Sequence, residues 1–252
     1  MTRFVFASFA IGAALTATAC SSNSRQATRA EYDDVAQHVG STTSKSNSGG
    51  ELASMNDAIK LSTGVMPLGL SVDVKGHING SRLGVTLDYT LACSDAAGAK
   101  QTECNDKTDR ADVSVSWNGQ LVLPSLTASV DRKGAWSISG LQSKQIHLNG
   151  DGTFTFDSDV KSILHPGEAT YHLAYAGEYK DVVLDTEQGP VSGTIHYAIS
   201  ADHTATSGSS KADGSFDIDA VLTFTGAGKA TLVLDGTEHY DVDLATGIVV
   251  HI

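Results

Sequence analysis

Residues 213–252 read DGSFDIDAVLTFTGAGKATLVLDGTEHYDVDLATGIVVHI. Apolar side chains recur at every second position: Phe216, Ile218, Ala220, Leu222 and Phe224, then Ala230, Leu232 and Leu234, then Tyr240, Val242 and Leu244, then Ile248, Val250 and Ile252. Ser215, Asp217, Asp219, Thr223, Asp241, Asp243 and His251 fill the opposite parity. A period of two puts one set of side chains on a core and the other in water, as in an antiparallel sheet with one wet face. The last run reaches Ile252, which predicts that this residue is tied into the sheet.

The same period extends N-terminally. Leu70, Val72 and Val74 alternate with polar residues, as do Leu83, Val85, Leu87, Tyr89 and Leu91, and again Val113, Val115 and Trp117. Asn79-Gly80, Asn118-Gly119, Lys133-Gly134, Asn149-Gly150, Asp151-Gly152, Asp213-Gly214 and Asp235-Gly236 read as turns between strands. From Pro67 onward no stretch has the length and period of a core helix. The expectation for 67–252 is an all-β domain: an antiparallel meander of roughly a dozen short strands, folded as a sandwich or curved sheet. An internal duplication is also visible, with copies at about 151–189 and 213–247. Asp151-Gly152-Thr153-Phe154 returns as Asp213-Gly214-Ser215-Phe216, Gly167-Glu168-Ala169-Thr170 as Gly228-Lys229-Ala230-Thr231, and Asp181-Val182 with Leu184 as Asp241-Val242 with Leu244. Phe154, Phe216, Leu184 and Leu244 are then expected inward, at equivalent places.

Residues 1–19 have the form of a signal peptide: Arg3, then an uncharged stretch from Phe4 to Ala19, too short to span a bilayer comfortably. The end of this segment, Leu15 to Cys20 followed by Ser21-Ser22, resembles the lipobox of bacterial lipoproteins, with Ala17 where the family prefers Leu. The resemblance covers only about twenty residues and implies that Cys20 carries lipid and opens the mature chain. Cysteine arithmetic agrees. The chain has three Cys, and with Cys20 lipidated, Cys93 and Cys104 are left to pair as a disulfide stapling a polar loop. Residues 20–66 read as a lipid-anchored tether with possible short helices. Thr28 and Glu31 have capping-box spacing before the stripe Tyr32, Val35 and Val39, with Gly40 as a stop. Ser48 and Glu51 repeat that spacing before Leu52, Met55 and Ile59, with Gly64 as a stop, and 41–50 (STTSKSNSGG) has the composition of a flexible linker.

A net charge of −12 argues against nucleic acid as a partner, because phosphate recognition needs clustered Lys and Arg. No nucleophile motif, zinc motif or glycine-rich phosphate loop is present, and no cofactor is expected. His172, His196 and His251 fall on outward positions; a three-residue loop at 245–247 would set His251 opposite Asp241. Asp157 with Asp159, Asp217 with Asp219, and Asp241 with Asp243 can each share a face. An acidic solvated face accounts for them better than a calcium or glycosidase site. Trp117 and Trp136 read inward, as core. The functional expectation is an exported, lipid-anchored cell-envelope protein, weakly of the outer membrane, whose non-enzymatic β domain binds or scaffolds an unknown envelope partner or ligand. The alternatives are a carrier of a lipid or other hydrophobic ligand in a curved-sheet groove, and a hydrolase with a dispersed site.

Overall fold

Twelve strands join one antiparallel sheet in strict chain order, each paired to the next. They are β1 (Leu70–Val72), β2 (Ile78–Arg82), β3 (Val85–Ser94), β4 (Arg110–Leu123), β5 (Leu126–Ser139) and β6 (Gln145–Lys161), then β7 (Glu168–Asp185), β8 (Gly189–Ser207), β9 (Ser210–Gly226), β10 (Lys229–Leu234), β11 (Glu238–Asp243) and β12 (Val249–His251). Among the described residues two helices precede them, α1 (Arg29–Thr43) and α2 (Glu51–Ser62). The computed structural model describes residues 25–45, 50–73, 77–82, 84–123, 126–161, 168–207 and 210–252. Residues 1–19, read above as a signal peptide, and Cys20 and Ser48 lie outside the described residues. Among them β1 and β12 do not pair, so the sheet is open.

The helices show that the sheet curls. α1 packs on β10, β11 and β12, α2 packs on β3 and β4, and the two helices touch. In a flat sheet β3 and β12 would stand nine steps, ~43 Å, apart, whereas packed helix axes lie only about 10 Å apart. Both ends of the sheet therefore bend round one helix pair. Tyr32, Val35, Ala36 and Val39 of α1 and Leu52, Met55, Ala58 and Leu61 of α2 share a single buried cluster with the inward residues of the strands. Part of the segment read as a tether is thus core. Its apolar stripes, marginal as isolated helices, cover the apolar face that a single sheet leaves bare.

Both helix boundaries have local causes. Thr28 N–H and Oγ1–H donate to Glu31 Oε2 at 2.7 and 2.9 Å, as the capping-box spacing predicts. Gly40 does not end α1, which runs on to Thr43. A Cβ there would lie 2.3 Å from Val249 Cγ2 and 2.8 Å from the Gly247 carbonyl oxygen, so this glycine permits close approach instead. Gly64 does end α2, at φ 79°, with Val65 N–H on Lys60 C=O and Gly64 N–H on Leu61 C=O, the Schellman pattern.

Of the seven Asx-Gly and Lys-Gly signals only Asp235-Gly236 makes a turn, with both residues at positive φ. The other six lie inside β2, β4, β5, β6 and β9, and β4 to β9 are longer than the short strands expected, at 14 to 19 residues. The duplication is only partly structural. Its first two blocks fall in the β6–β7 and β9–β10 hairpins, but Phe154 pairs with Tyr175 of β7, whereas β10 reaches along β9 only to Ala220, short of Phe216. The third lies at the far end of β7 in one copy and on the separate strand β11 in the other. Phe216, Leu184 and Leu244 are buried, and Phe154 is half-buried against the core, all on the inward side. The last strand differs from its reading: Ile248, Val250 and Ile252 are exposed, while Val249 packs on the core. Val249 pairs with Val242 because residues 244–248 make the turn, and a one-residue change of register exchanges the two faces. Ile252 is still held, its N–H donating to His239 C=O at 3.0 Å.

Candidate functional site

On β5 the inward parity runs Val130, Arg132, Gly134, Trp136, and so carries a guanidinium into the core. Arg132 is 4% exposed. Its guanidinium lies 5.0, 5.4 and 5.9 Å from the ring centroids of Trp117, Trp136 and Phe154. Nη2 donates to Glu51 Oε1 and to the Tyr179 hydroxyl oxygen, each at 3.0 Å. The Tyr179 hydroxyl donates in turn to Glu51 Oε1, and the Tyr197 hydroxyl to Oε2. One carboxylate at the first residue of α2 is therefore gripped from three strands, β5, β7 and β8.

Glycines inside the strands make room for this. Gly134, Gly152 and Gly177 stand in one cross-strand row that continues to Tyr197. A Cβ at Gly177 would meet the Tyr197 ring at 3.3 Å, and one at Gly134 would lie 3.3 Å from Val115 and 3.6 Å from Trp136. The rings lie over bare backbone, so their polar ends converge on α2. Trp136 with Tyr179 and Tyr175 with Tyr197 make edge-to-face pairs at 5.8 and 6.2 Å.

Burial opposes the charge on Arg132, but Tyr179, Glu51 and Tyr197 around it raise its pKa above the usual value, so it stays charged. Burial, then the Glu51 charge, pushes Tyr179 and Tyr197 well above the ordinary phenol range. Both are fixed donors, not bases. Burial with Asp57 nearby raises Tyr89 to about 12; Ser54 and Trp117 ease that rise, yet no pair among the three has hydrogen-bond geometry. Ser54 Oγ, Tyr89 OH, Trp117 Nε1, Trp136 Nε1 and Tyr175 OH are all buried without a hydrogen-bond partner. The two indoles can only donate. The interior around Arg132 has more donors than acceptors, and such a site can hold a carboxylate. A second ion pair ties α2 to β2, with Arg82 Nη1 2.5 Å from Asp57 Oδ2.

The residues singled out from sequence go elsewhere, apart from Trp117 and Trp136, which form two walls of the cluster. Cys93 and Cys104 are bonded, Cα atoms 5.4 Å apart, across the loop between β3 and β4. His172 pairs across strands with Asp157 on the exposed face. His251 lies opposite Tyr240, not Asp241, stacks edge-on against that ring and reaches Glu238 at 3.2 Å. Asp217 accepts from Ser200, Asp219 N–H donates to Asp235, and Asp243 takes Lys229 and caps the turn at 245–246. The side chain of Asp159 is outside the described residues, and among those described no three His, Cys, Asp or Glu gather as metal ligands. Sequence reading missed Arg132, Tyr179 and Tyr197, and used Glu51 only as a helix-start residue. The available signal was the charge on an otherwise inward parity of β5. No family model, curated protein or solved structure matches this chain.

Proposed function

We propose that this chain is an exported bacterial lipoprotein, held in the cell envelope by lipid on Cys20, whose β domain works by binding rather than catalysis. The observation that carries export is the Cys93–Cys104 bond, since such bonds persist in oxidising compartments and pairing these two leaves Cys20 for lipid. Arg25, already bonded to Glu31 on α1, is five residues from Cys20, a reach of ~17 Å. The body would therefore ride close to the membrane surface. Among the described residues no helix is long and apolar enough to cross it. For binding, the support is the arrangement of Arg132, Tyr179 and Tyr197 as permanent donors on a rigid sheet.

A second reading, a carrier of a hydrophobic ligand, is favoured by one feature. The apolar face of the open sheet is covered by two helices and not by a second sheet, so helix movement would open a groove. To test the anchor, cells are fed a labelled fatty acid. Label is expected on the wild-type chain and absent from Cys20→Ser, which should leave the membrane fraction. An unlabelled wild-type chain beginning at Ser21 or later would reject the anchor.

A further inference from the structure

We infer that Arg132, Tyr179 and Tyr197 form a carboxylate-binding site on the sheet, that Glu51 is its built-in occupant, and that a fatty acid takes the place of Glu51 and α2. This rests on the binding reading above and names its ligand.

Host and guest are distinguishable. The three donors belong to β5, β7 and β8, neighbours in a continuous hydrogen-bonded ladder. Glu51 is the first residue of a twelve-residue helix whose N-cap, Gly50, offers no side-chain cap and follows a Ser- and Gly-rich stretch. Short helices of this length depend on packing for their existence. The sheet can therefore keep the site while α2 leaves it.

The site asks for an acceptor. Two carboxylate oxygens serve one guanidinium and two phenols, while the Tyr175 hydroxyl and the Trp136 indole stay buried and unpartnered. Tyr175 stacks edge-on against Tyr197, whose hydroxyl donates to that same carboxylate. Trp136 lies against the Arg132 guanidinium. An incoming carboxylate keeps Arg132 paired throughout the exchange, whereas the Arg82–Asp57 pair is broken when α2 leaves and its two charges must then be met by water. A neutral ligand offers no such replacement.

The space behind the site asks for a tail. Leu52, Met55, Ala58 and Leu61 of α2 are buried, and the helix lies on β3 and β4, whose inward residues are Val85, Leu87, Tyr89, Val113, Val115 and Trp117. Leaving, α2 would vacate an apolar trough that begins at Arg132 and runs about 18 Å. Head group and tail then match a fatty acid in one orientation, carboxylate at the Arg132 end.

The test uses the full chain with dodecanoate and dodecanol as probes, below their micellar concentrations. With dodecanoate, amide exchange should rise across 51–62 and stay unchanged in the β6–β9 ladder; dodecanol should change neither. Glu51→Gln removes the internal competitor and should tighten dodecanoate binding about tenfold. Arg132→Gln should abolish it. Should either variant unfold, the wild-type exchange with dodecanoate against dodecanol still decides. Unchanged exchange at 51–62, equal binding of the alcohol, or no gain in Glu51→Gln would each overturn the inference. Lipid on Cys20 is read separately, so a labelled anchor without dodecanoate binding defeats this inference alone.

Discussion

Arg132 and Glu51 put two opposite charges where the neighbouring strands put hydrocarbon. Removing one partner of such a pair leaves a buried charge uncompensated, so Glu51→Ala should destabilise the fold by about 3–5 kcal/mol in a urea titration. The double variant Glu51→Leu with Arg132→Met removes both charges and should recover most of that loss. His38, on the buried side of α1, behaves differently. Burial pushes its pKa down to about 4 from 6.5. Below pH 6.5 the unfolded chain takes a proton that the folded chain refuses until about pH 4, so stability should fall across that window by roughly 3 kcal/mol. Denaturant midpoints should show this slope between pH 6.5 and 4 in the wild type, and His38→Leu should flatten it. At this scale the sequence was only half legible. Trp117, Trp136 and the cysteine pair followed from parity and counting. Tyr179, Tyr197 and Glu51 meet from positions up to 146 residues apart, a convergence that only the curl of the sheet produces.

Among elements, the strands could be read and their ends could not. Alternation in 85–91 and 216–244 marks the buried face correctly, because a half-buried strand has to alternate. The Asx-Gly pairs misled because glycine has a second use. Inside β5, β6 and β7 it admits an aromatic ring or a neighbouring backbone, and a local pattern cannot separate that use from a turn. The helices were found, but their place was not, since an amphipathic stripe shows that a partner exists without showing where. Gly40 offers a direct check. On an exposed helix face Gly→Ala stabilises by about 1 kcal/mol. Here the new methyl would meet Val249 and the Gly247 carbonyl, so Gly40→Ala should destabilise by about 1–3 kcal/mol, visible as a lower thermal midpoint. Reducing the Cys93–Cys104 bond should lower stability by up to about 3 kcal/mol while the far-ultraviolet spectrum keeps its sheet signature.

At the scale of the whole molecule, each strand meets its sequence neighbour, but α1 meets the far end of the chain. Arg29 pairs with Glu238 at 2.7 Å, Tyr32 donates to Asp235 at 2.7 Å, the Tyr240 hydroxyl donates to Asp33 at 3.0 Å, and Lys45 N–H donates to Leu244 C=O at 2.8 Å. Deleting 238–252 should therefore strip protection from amides 29–43 in hydrogen exchange more than from β4–β8, although α1 is distant in sequence. Ile248, Val250 and Ile252 form an exposed row along the open edge strand β12 and its two flanking residues. The long-range seat of α1 also has a temporal meaning. A chain emerging from its N-terminus presents both helices first and can zip the meander hairpin by hairpin, with short loops to close. The helices cannot finish docking until the last two hairpins have emerged. For most of its synthesis the chain holds an uncovered apolar stripe with its partner still missing. A holding chaperone would find it then, and the final few dozen residues end that exposure.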